Sequence, residues 1–269
     1  MSLLRNFIIF LIYINSLSYA LQCTTDCSFQ SNLSTTFEIP KSCNQIISGK
    51  YCGIRMSFSY SPYYSSLSFN LQHSNYSLGD FYSASVELSD GGSFSFYYSI
   101  SHHCSHKDDC AIEFANNNIP NIFRRLDFNY RDMHRELVPL LSTNVSIDTT
   151  DLPCFDSNER VRQCGIVTKP GLCEATQQLT GRQKTNRTCN YESYRGEKSV
   201  SIYDFGSFAS FSITCNRSLC NGPVTQQAVK EIMFKYNITK TIDGRLNNGL
   251  RLSLSSTILL SIIIFLLYA

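Results

Sequence analysis

Apolar or aromatic residues alternate with Ser, Asn or Glu along several stretches of this chain. A period of two is typical of strands in a sheet that has one covered face. The alternation predicts strands at Met56–Tyr60, Ser66–Gln72, Ser83–Leu88, Ser93–Ser101, Ser199–Tyr203 and Ser207–Cys215. Residues that favour turns lie between or beside them, at Ser74-Asn75, Asp90-Gly91-Gly92 and Asp204–Gly206.

Two other stretches follow a helical period. One apolar stripe has spacings of three and four and predicts a helix that begins near Pro120 and stops at Pro139. Its members are Ile122, Leu126, Tyr130, Met133 and Leu137. Pro223 opens a second predicted helix, whose apolar side holds Ala228, Val229, Ile232, Met233 and Tyr236. We expect each stripe to pack against its own sheet; a partner helix or a membrane surface is the alternative.

The chain matches itself in two places, which indicates an internal duplication. Ser85–Phe94 resembles Ser199–Phe208 at a constant offset. Each match is followed by a closely spaced cysteine pair, Cys104/Cys110 or Cys215/Cys220. Upstream, Cys52-Gly53-Ile54 resembles Cys164-Gly165-Ile166, with Cys43 and Cys154 a similar distance before. The expected fold is therefore mainly β with minor α, built from two small disulfide-rich modules that each end in an amphipathic helix.

The domain boundaries follow from this duplication and from the two hydrophobic ends. We expect the first module at 21–140, a linker at 141–153 and the second module at 154–240. Phe7–Ile14 is too short to span a bilayer of about 30 Å, and Ser18-Tyr19-Ala20 offers small residues to a signal peptidase. Residues 1–20 are thus predicted to be a signal peptide.

The apolar segment Leu252–Ala269 lacks the positive flank that usually follows a spanning helix, and it is typical of a glycosylphosphatidylinositol (GPI) attachment signal. We expect 241–256 to hold the attachment site and spacer, and 257–269 to be the hydrophobic tail. Asn247 is the predicted lipidation site, with Asn248 as its neighbour alternative. A single C-terminal transmembrane helix is the other interpretation. Both place the protein on the extracellular face of the plasma membrane.

Twelve cysteines lie between these terminal segments. An even number in an exported chain predicts disulfides. The short spacings predict Cys104–Cys110 and Cys215–Cys220, whereas Cys43–Cys52 and Cys154–Cys164 are open local alternatives, since six cysteines allow fifteen connectivities. The other four are Cys23, Cys27, Cys173 and Cys189.

Six Asn-x-Ser/Thr acceptors predict N-glycosylation and therefore solvent exposure. They are Asn32, Asn75, Asn144, Asn186, Asn216 and Asn237. Asn216 is the least expected of them because it directly follows a cysteine that we pair.

Charge and motifs exclude several classes of function. The formal net charge of +2 gives no basic surface for nucleic acid. The stretch His102–Cys110 contains zinc-ligand types, but a Cys104–Cys110 disulfide would consume both thiolates, so we expect a solvated loop and no metal. No Gly-x-Ser-x-Gly elbow, His-Glu-x-x-His pair or phosphate-binding loop occurs, so we expect no catalytic residues, no cofactor and no enzyme. The adjacent Asp108 and Asp109 are the remaining acid–base alternative.

The segment Cys215–Asn221 reads Cys-x4-Cys-Asn and resembles the closing motif of the three-finger family, the urokinase-receptor-like and snake-toxin-like domains. The start Leu21-Gln22-Cys23 is similar to that family's opening. The resemblance implies that Asn221 ties the last strand to the first, and that other bridges join the strand roots and leave loops projecting. This chain departs from the family where Ala111 follows Cys110 and where Thr214 precedes Cys215.

The resemblance implies binding by loops on a rigid scaffold. Tyr63 and Tyr64 interrupt two predicted strands and are the ligand-binding candidates, because Tyr combines a rigid ring with a hydroxyl. We therefore expect a GPI-anchored, glycosylated cell-surface receptor, adhesion or modulatory protein with an extracellular protein or glycan ligand. An extracellular enzyme with an unrecognised site and a structural coat glycoprotein with a C-terminal transmembrane helix are the alternatives.

Overall fold

The computed structural model describes residues 20–247 except 34–35, 62, 73–77, 90–92, 144–151, 167–168 and 191–197. The fold is mainly β, as predicted, with 44% of the described residues in strands and 22% in helices. The signal peptide, the hydrophobic tail, most of the linker and the turns at Ser74-Asn75 and Asp90–Gly92 fall outside the described residues. None of the helices in the described ranges is both long and apolar enough to cross a bilayer.

One large antiparallel sheet dominates the molecule. The strands in chain order are β1 (Leu21–Thr24), β2 (Cys27–Gln30), β3 (Ile46–Gly49), β4 (Tyr51–Tyr60), β5 (Tyr64–Gln72), β6 (Gly79–Leu88), β7 (Phe94–Cys104), β8 (Leu152–Phe155), β9 (Val161–Ile166), β10 (Lys169–Pro170), β11 (Leu172–Gln178), β12 (Thr185–Asn190), β13 (Lys198–Asp204) and β14 (Ala209–Cys215). Nine of these strands pair in the order β12-β11-β14-β13-β6-β7-β4-β5-β2. Strand β1 pairs with β3, and β8 to β10 form a small separate sheet.

The duplicated strands β6 and β13 pair with each other at the centre of the large sheet. Val86 lies opposite Val200, and Ser85 lies opposite Ser201. Val86 and Val200 occupy the same position in the two matched segments of the sequence, and Ser85 and Ser201 lie one residue to either side of it. A local twofold axis therefore passes between Val86 and Val200, and the two modules join through the same edge in the manner of a symmetric dimer.

The helices are α1 (Cys110–Leu126), α2 (Tyr130–Leu141) and α3 (Pro223–Lys235). The prediction of one helix between Pro120 and Pro139 is wrong, because two helices meet at Asp127–Asn129 and each contains one of the prolines. The side chain of Asn129 caps α2 by accepting hydrogen bonds from two backbone N–H groups, and this cap sets the start of the second helix. All five stripe residues are nevertheless buried.

The helices cover one face of the sheet and cross the seam between the modules. Helix α1 packs on β1, β4 and β7 of its own module, as expected. Helix α2 begins on its own module, where Tyr130 stacks on Tyr60 with ring centroids 3.9 Å apart, but it also contacts α3 and strand β14 of the second module. The expectation that the stripe packs only against the sheet of its own module is therefore wrong for α2. Helix α3 lies over its own sheet, with Lys230 Nζ 5.4 Å from the Phe211 ring centroid.

Candidate functional site

All twelve cysteines pair, and the six disulfides fasten the strand roots of both modules. The two short-range bridges, Cys104–Cys110 and Cys215–Cys220, form as their spacing predicts. The local alternatives Cys43–Cys52 and Cys154–Cys164 are wrong, because strand pairing brings more distant cysteines together. The remaining bridges are Cys23–Cys52, Cys27–Cys43, Cys154–Cys173 and Cys164–Cys189.

The topology also corrects which cysteines correspond between the modules. Three cysteines occupy equivalent places in each module. The first of them lies opposite the cysteine that ends the module's last strand, and it forms a disulfide with a cysteine in the module's first strand. These trios are Cys52, Cys104 and Cys23 in the first module and Cys173, Cys215 and Cys154 in the second. Cys52 therefore corresponds to Cys173 and not to Cys164, and the Cys-Gly-Ile match is a local coincidence.

The buried Asn221 fastens the closing loop of the second module to its first strand. Its Oδ1 accepts a hydrogen bond from Phe155 N at 2.9 Å, and its Nδ2 donates to Phe155 O at 2.8 Å. The same Nδ2 donates to Glu174 O in β11 at 3.1 Å. One amide thus joins the loop to two strands and uses its acceptor and both donor hydrogens.

Two carboxylates perform the corresponding task in the first module, where the closing loop lacks an Asn after Cys110. Asp108 Oδ1 accepts from Gln22 N at 2.9 Å. Asp109 Oδ1 accepts from Thr24 N at 2.7 Å and from Thr24 Oγ1 at 3.0 Å. The pair proposed as an acid–base alternative is therefore engaged with strand β1.

The histidines beside this loop do not assemble a set of free ligands. His102 Nδ1 lies 2.6 Å from Asp80 Oδ1, and its ring stacks on Phe114 of α1 with centroids 3.9 Å apart. Burial, followed by the neighbouring His102, lowers the pKa of His103. His106 lies near the sulfurs of Cys104 and Cys110, but those sulfurs bond to each other and offer no thiolate. The His102–Asp80 pair is covered by a helix and is built as part of the core.

The recognition hairpin, residues Tyr60–Tyr64 at the β4–β5 turn, exposes both candidate tyrosines. Tyr63 is 50% exposed in the turn, and Tyr64 is 38% exposed at the first position of β5. The Tyr63 ring packs edge-on against the buried Phe58, with centroids 5.7 Å apart, and partial burial raises the pKa of its hydroxyl. Its hydroxyl also donates to Asn32 Oδ1 at 3.4 Å. The ring is thus held in a defined orientation while half of it faces solvent.

The predicted glycan acceptors differ in accessibility. Those that lie exposed are Asn32, Asn186 and Asn237. Asn216 is half-buried, which opposes its use as a glycan acceptor, and its Oδ1 accepts a hydrogen bond from Thr143 N at 3.1 Å. Asn75 and Asn144 fall outside the described residues.

The predicted lipidation site belongs to a buried ionic cluster that the sequence analysis missed. We call Asp204, Arg245, Leu246 and Asn247 the anchor clamp. Asp204 is completely buried at the end of β13 and accepts from Arg245 Nε and Nη2, each at 2.9 Å. It also accepts from the backbone N–H of Leu246 at 3.1 Å and of Asn247 at 3.0 Å. The hydrogen bonds to Asp204 raise the pKa of Arg245, so the guanidinium stays charged.

The clamp and the recognition hairpin lie at turns that leave the sheet in opposite directions. Strands β4, β7, β6 and β13 are consecutive neighbours, and each neighbouring pair is antiparallel. Strands β4 and β13 therefore run in opposite directions. The turn that follows β4 carries Tyr63, whereas the turn that follows β13 is held by the clamp that contains Asn247.

A polar cavity of about 460 Å³ lies beside β8, β9 and β12 in the second module. Its wall includes Arg187, but Arg187 Nε donates to Asn221 O at 2.9 Å, and its Nη1 lies 3.4 Å from Glu159 Oε1. Arg187 is thus engaged in supporting the closing loop of this module.

No protein-family model matches the chain, and no curated protein sequence matches it.

Proposed function

We propose that this chain is a GPI-anchored, N-glycosylated cell-surface protein that binds an extracellular protein or glycan through projecting loops. The observation that carries the proposal is the placement of the recognition hairpin and the anchor clamp at turns that leave the sheet in opposite directions. If Asn247 joins a lipid in the outer leaflet, the β13–β14 turn lies toward the membrane. Tyr63 and Tyr64 then point away from the membrane, where a ligand on another molecule can reach them.

The disulfides and the accessible sequons support an extracellular location. Six bridges persist in an oxidising compartment and are rare in the cytosol. Three acceptor asparagines lie exposed, as attachment of a bulky glycan requires. Asn32 lies beside Tyr63, so a glycan there would border the recognition hairpin.

A three-finger-like architecture is part of this proposal and is supported by the disulfides at the ends of the strands from which the hairpins project. Bridges such as Cys154–Cys173 join the first strand of a module to its central strands, and the hairpins project from them. Asn221 ties the closing loop to β8, which is the role that the resemblance assigns to it. The helices that follow each closing loop extend this plan and join the modules.

The anchor is tested by treating intact expressing cells with phosphatidylinositol-specific phospholipase C. We expect the full glycoprotein to appear in the supernatant, because cleavage of the lipid at Asn247 leaves the disulfide-bonded ectodomain intact. The released protein should also shift in electrophoretic mobility when N-linked glycans are removed. Retention on cells under conditions that release a co-expressed GPI-anchored control protein would contradict the lipid anchor and favour a spanning helix.

Recognition is tested with the lipase-released ectodomain, screened in oligomerised form against ectodomains from the same cell surface. For any ligand found, the double substitution Tyr63→Ser and Tyr64→Ser should weaken binding by at least about tenfold, because exposed, rigidly held tyrosines are typical of binding hot spots. Tyr203→Ser is the matched control, since Tyr203 is 47% exposed on a strand that lies four strands away from β5 across the sheet. Equal binding by the parent and the double variant would exclude this hairpin as the recognition site.

A further inference from the structure

Four aromatic residues form a patch at the β13–β14 turn, which we call the aromatic patch: the exposed Tyr203, Phe205 and Phe208 and the half-buried Phe81. Their rings are contiguous, with Phe205 lying 5.5 Å from Phe81, 6.3 Å from Phe208 and 6.5 Å from Tyr203 between ring centroids. Tyr203, Phe205 and Phe208 are 47%, 41% and 44% exposed. A contiguous apolar patch that water reaches marks a surface for another partner or for a membrane.

The patch lies on the face of the sheet that the helices leave open. Along β13, alternate residues Val200, Ile202 and Asp204 are buried on the helix-covered side. Tyr203 and Phe205 therefore point to the opposite face. Neighbouring positions of that face carry small polar side chains, at Ser83, Ser85 and Ser201. The patch is thus set off from the polar part of the open face that lies beside it.

The turn itself presents the rings outward. Gly206 adopts a φ of 74°, which permits the tight reversal, and Phe205 N donates to Phe208 O at 2.7 Å. Gly206 N also donates to Asp204 Oδ1 at 3.1 Å. The turn is therefore rigid, and its two phenylalanines do not fold back onto the core.

The anchor clamp holds the same turn. Arg245 Nη2 donates to Gly206 O at 3.1 Å, and Asn247 N donates to Asp204 Oδ2. Asp204 and Gly206 are the two neighbours of Phe205 in the chain, so the clamp hydrogen-bonds to the backbone or side chain of the residue on each side of Phe205. The predicted lipidation site is consequently fixed beside the exposed rings.

We infer that the aromatic patch inserts into the interfacial layer of the phospholipid bilayer next to the lipid anchor; this rests on the proposed anchor at Asn247. Tyr is enriched at the level of lipid headgroups, and Phe is typical of the apolar surface that peripheral segments bury at the boundary between headgroups and acyl chains. The members of the patch carry no charge, and Asp204, between Tyr203 and Phe205 in the chain, is buried and paired with Arg245. The lipid proposed at Asn247 would itself hold this end of the sheet at the membrane surface.

Insertion would give the ectodomain a second point of attachment. A lipid at the end of a polypeptide leaves a domain free to tilt, whereas a second membrane contact restricts that freedom, and stable peripheral attachment generally uses two signals. The sheet would then stand with its Tyr63 end away from the bilayer. The aromatic patch is thus a positioning surface for the recognition hairpin.

The chain contains no Trp, so a single introduced indole reports on its own surroundings. Full-length anchored protein carrying Phe205→Trp is purified from cells and reconstituted into phosphatidylcholine vesicles whose acyl chains are brominated near the headgroup. We expect an about twofold loss of fluorescence relative to unbrominated vesicles, because interfacial aromatic residues lie within reach of those bromines. Phe208→Trp provides a second reporter in the patch, and Tyr63→Trp is the matched control at the opposite end.

Quenching of both patch reporters without quenching of the Tyr63→Trp control supports insertion. Protein that floats with the vesicles while its patch indoles remain unquenched overturns the inference and leaves the anchor intact. The same result with cross-linked pairs of protein molecules would assign the patch to a second copy of the chain. Failure of the protein to float with the vesicles would overturn the anchor and, with it, the inference that depends on it.

Discussion

Asp204→Asn is expected to lower the free energy of unfolding by about 3–5 kcal/mol. The substitution keeps the shape of the side chain but removes the charge that Arg245 faces. Arg245 is only 13% exposed at its side chain, so its guanidinium would remain in the protein without a counter-ion. Breaking one partner of a buried pair costs more than the pair contributes, because the remaining charge is desolvated and uncompensated.

Chemical denaturation of the purified ectodomain, followed by circular dichroism, measures this change. Glu113→Gln is the control, since it breaks the exposed ion pair with Lys107 and should leave stability nearly unchanged. The double variant Asp204→Asn and Arg245→Met should recover part of the loss, because it removes the unpaired charge as well. A loss no larger than that of Glu113→Gln would show that the clamp does not stabilise the fold.

Asn221→Ala is expected to lower the free energy of unfolding by about 2–4 kcal/mol. The substitution removes the three hydrogen bonds that the buried Asn221 makes to Phe155 and Glu174 and leaves their partly buried backbone groups without this partner. An unsatisfied buried donor or acceptor costs more than an intact hydrogen bond contributes. Asn221→Asp should also destabilise the fold, because a carboxylate cannot donate to the two carbonyl oxygens.

Asn129→Ala is the matched comparison for Asn221→Ala. Asn129 also hydrogen-bonds to two backbone N–H groups, but it does so as an N-cap of α2 with access to solvent. Loss of such a cap costs about 1 kcal/mol. Equal losses for Asn129→Ala and Asn221→Ala, measured by the same denaturation experiment, would contradict the structural role that we assign to Asn221.

The strands with long, regular alternation could be predicted from the sequence, and the short ones could not. Strands β4, β6 and β7 each carry several successive inward apolar residues, which makes their period visible. Strand β12, with the sequence Thr-Asn-Arg-Thr-Cys-Asn, has no such period. It is a strand because pairing with β11 and the Cys164–Cys189 bridge hold it in the sheet.

The apolar stripe between Ile122 and Leu137 predicted burial but not the surface against which the helices pack. Its apolar spacing predicted which side chains would be buried, and all of them are. It did not predict the break at Asn129 or the contact of α2 with β14, because spacing along a helix contains no information about the surface that the helix meets. The capping side chain of Asn129 was the local signal that could have located the break.

Only one part of the candidate site, the recognition hairpin, could be predicted from the sequence. The sequence shows two predicted strands interrupted by a Pro-containing turn, so the position of the exposed hairpin with Tyr63 could be predicted from it. The anchor clamp was not, because an Asp at a strand end and an Arg forty residues later have no spacing that links them. Only the folded chain brings Asp204 and Arg245 within hydrogen-bond distance.

By itself, the sequence of this protein determined its local structure: the regular strands, the burial of the first helical stripe and the two disulfides between cysteines only a few residues apart. Each of these depends on residues that are close in the chain, so a short window contains the whole physical cause. The tertiary structure decided the pairing of Val86 with Val200, the four long-range bridges, and which aromatic rings stay exposed. These depend on the antiparallel assembly of distant strands, whose register determines which side chains share a face and which charges are buried together.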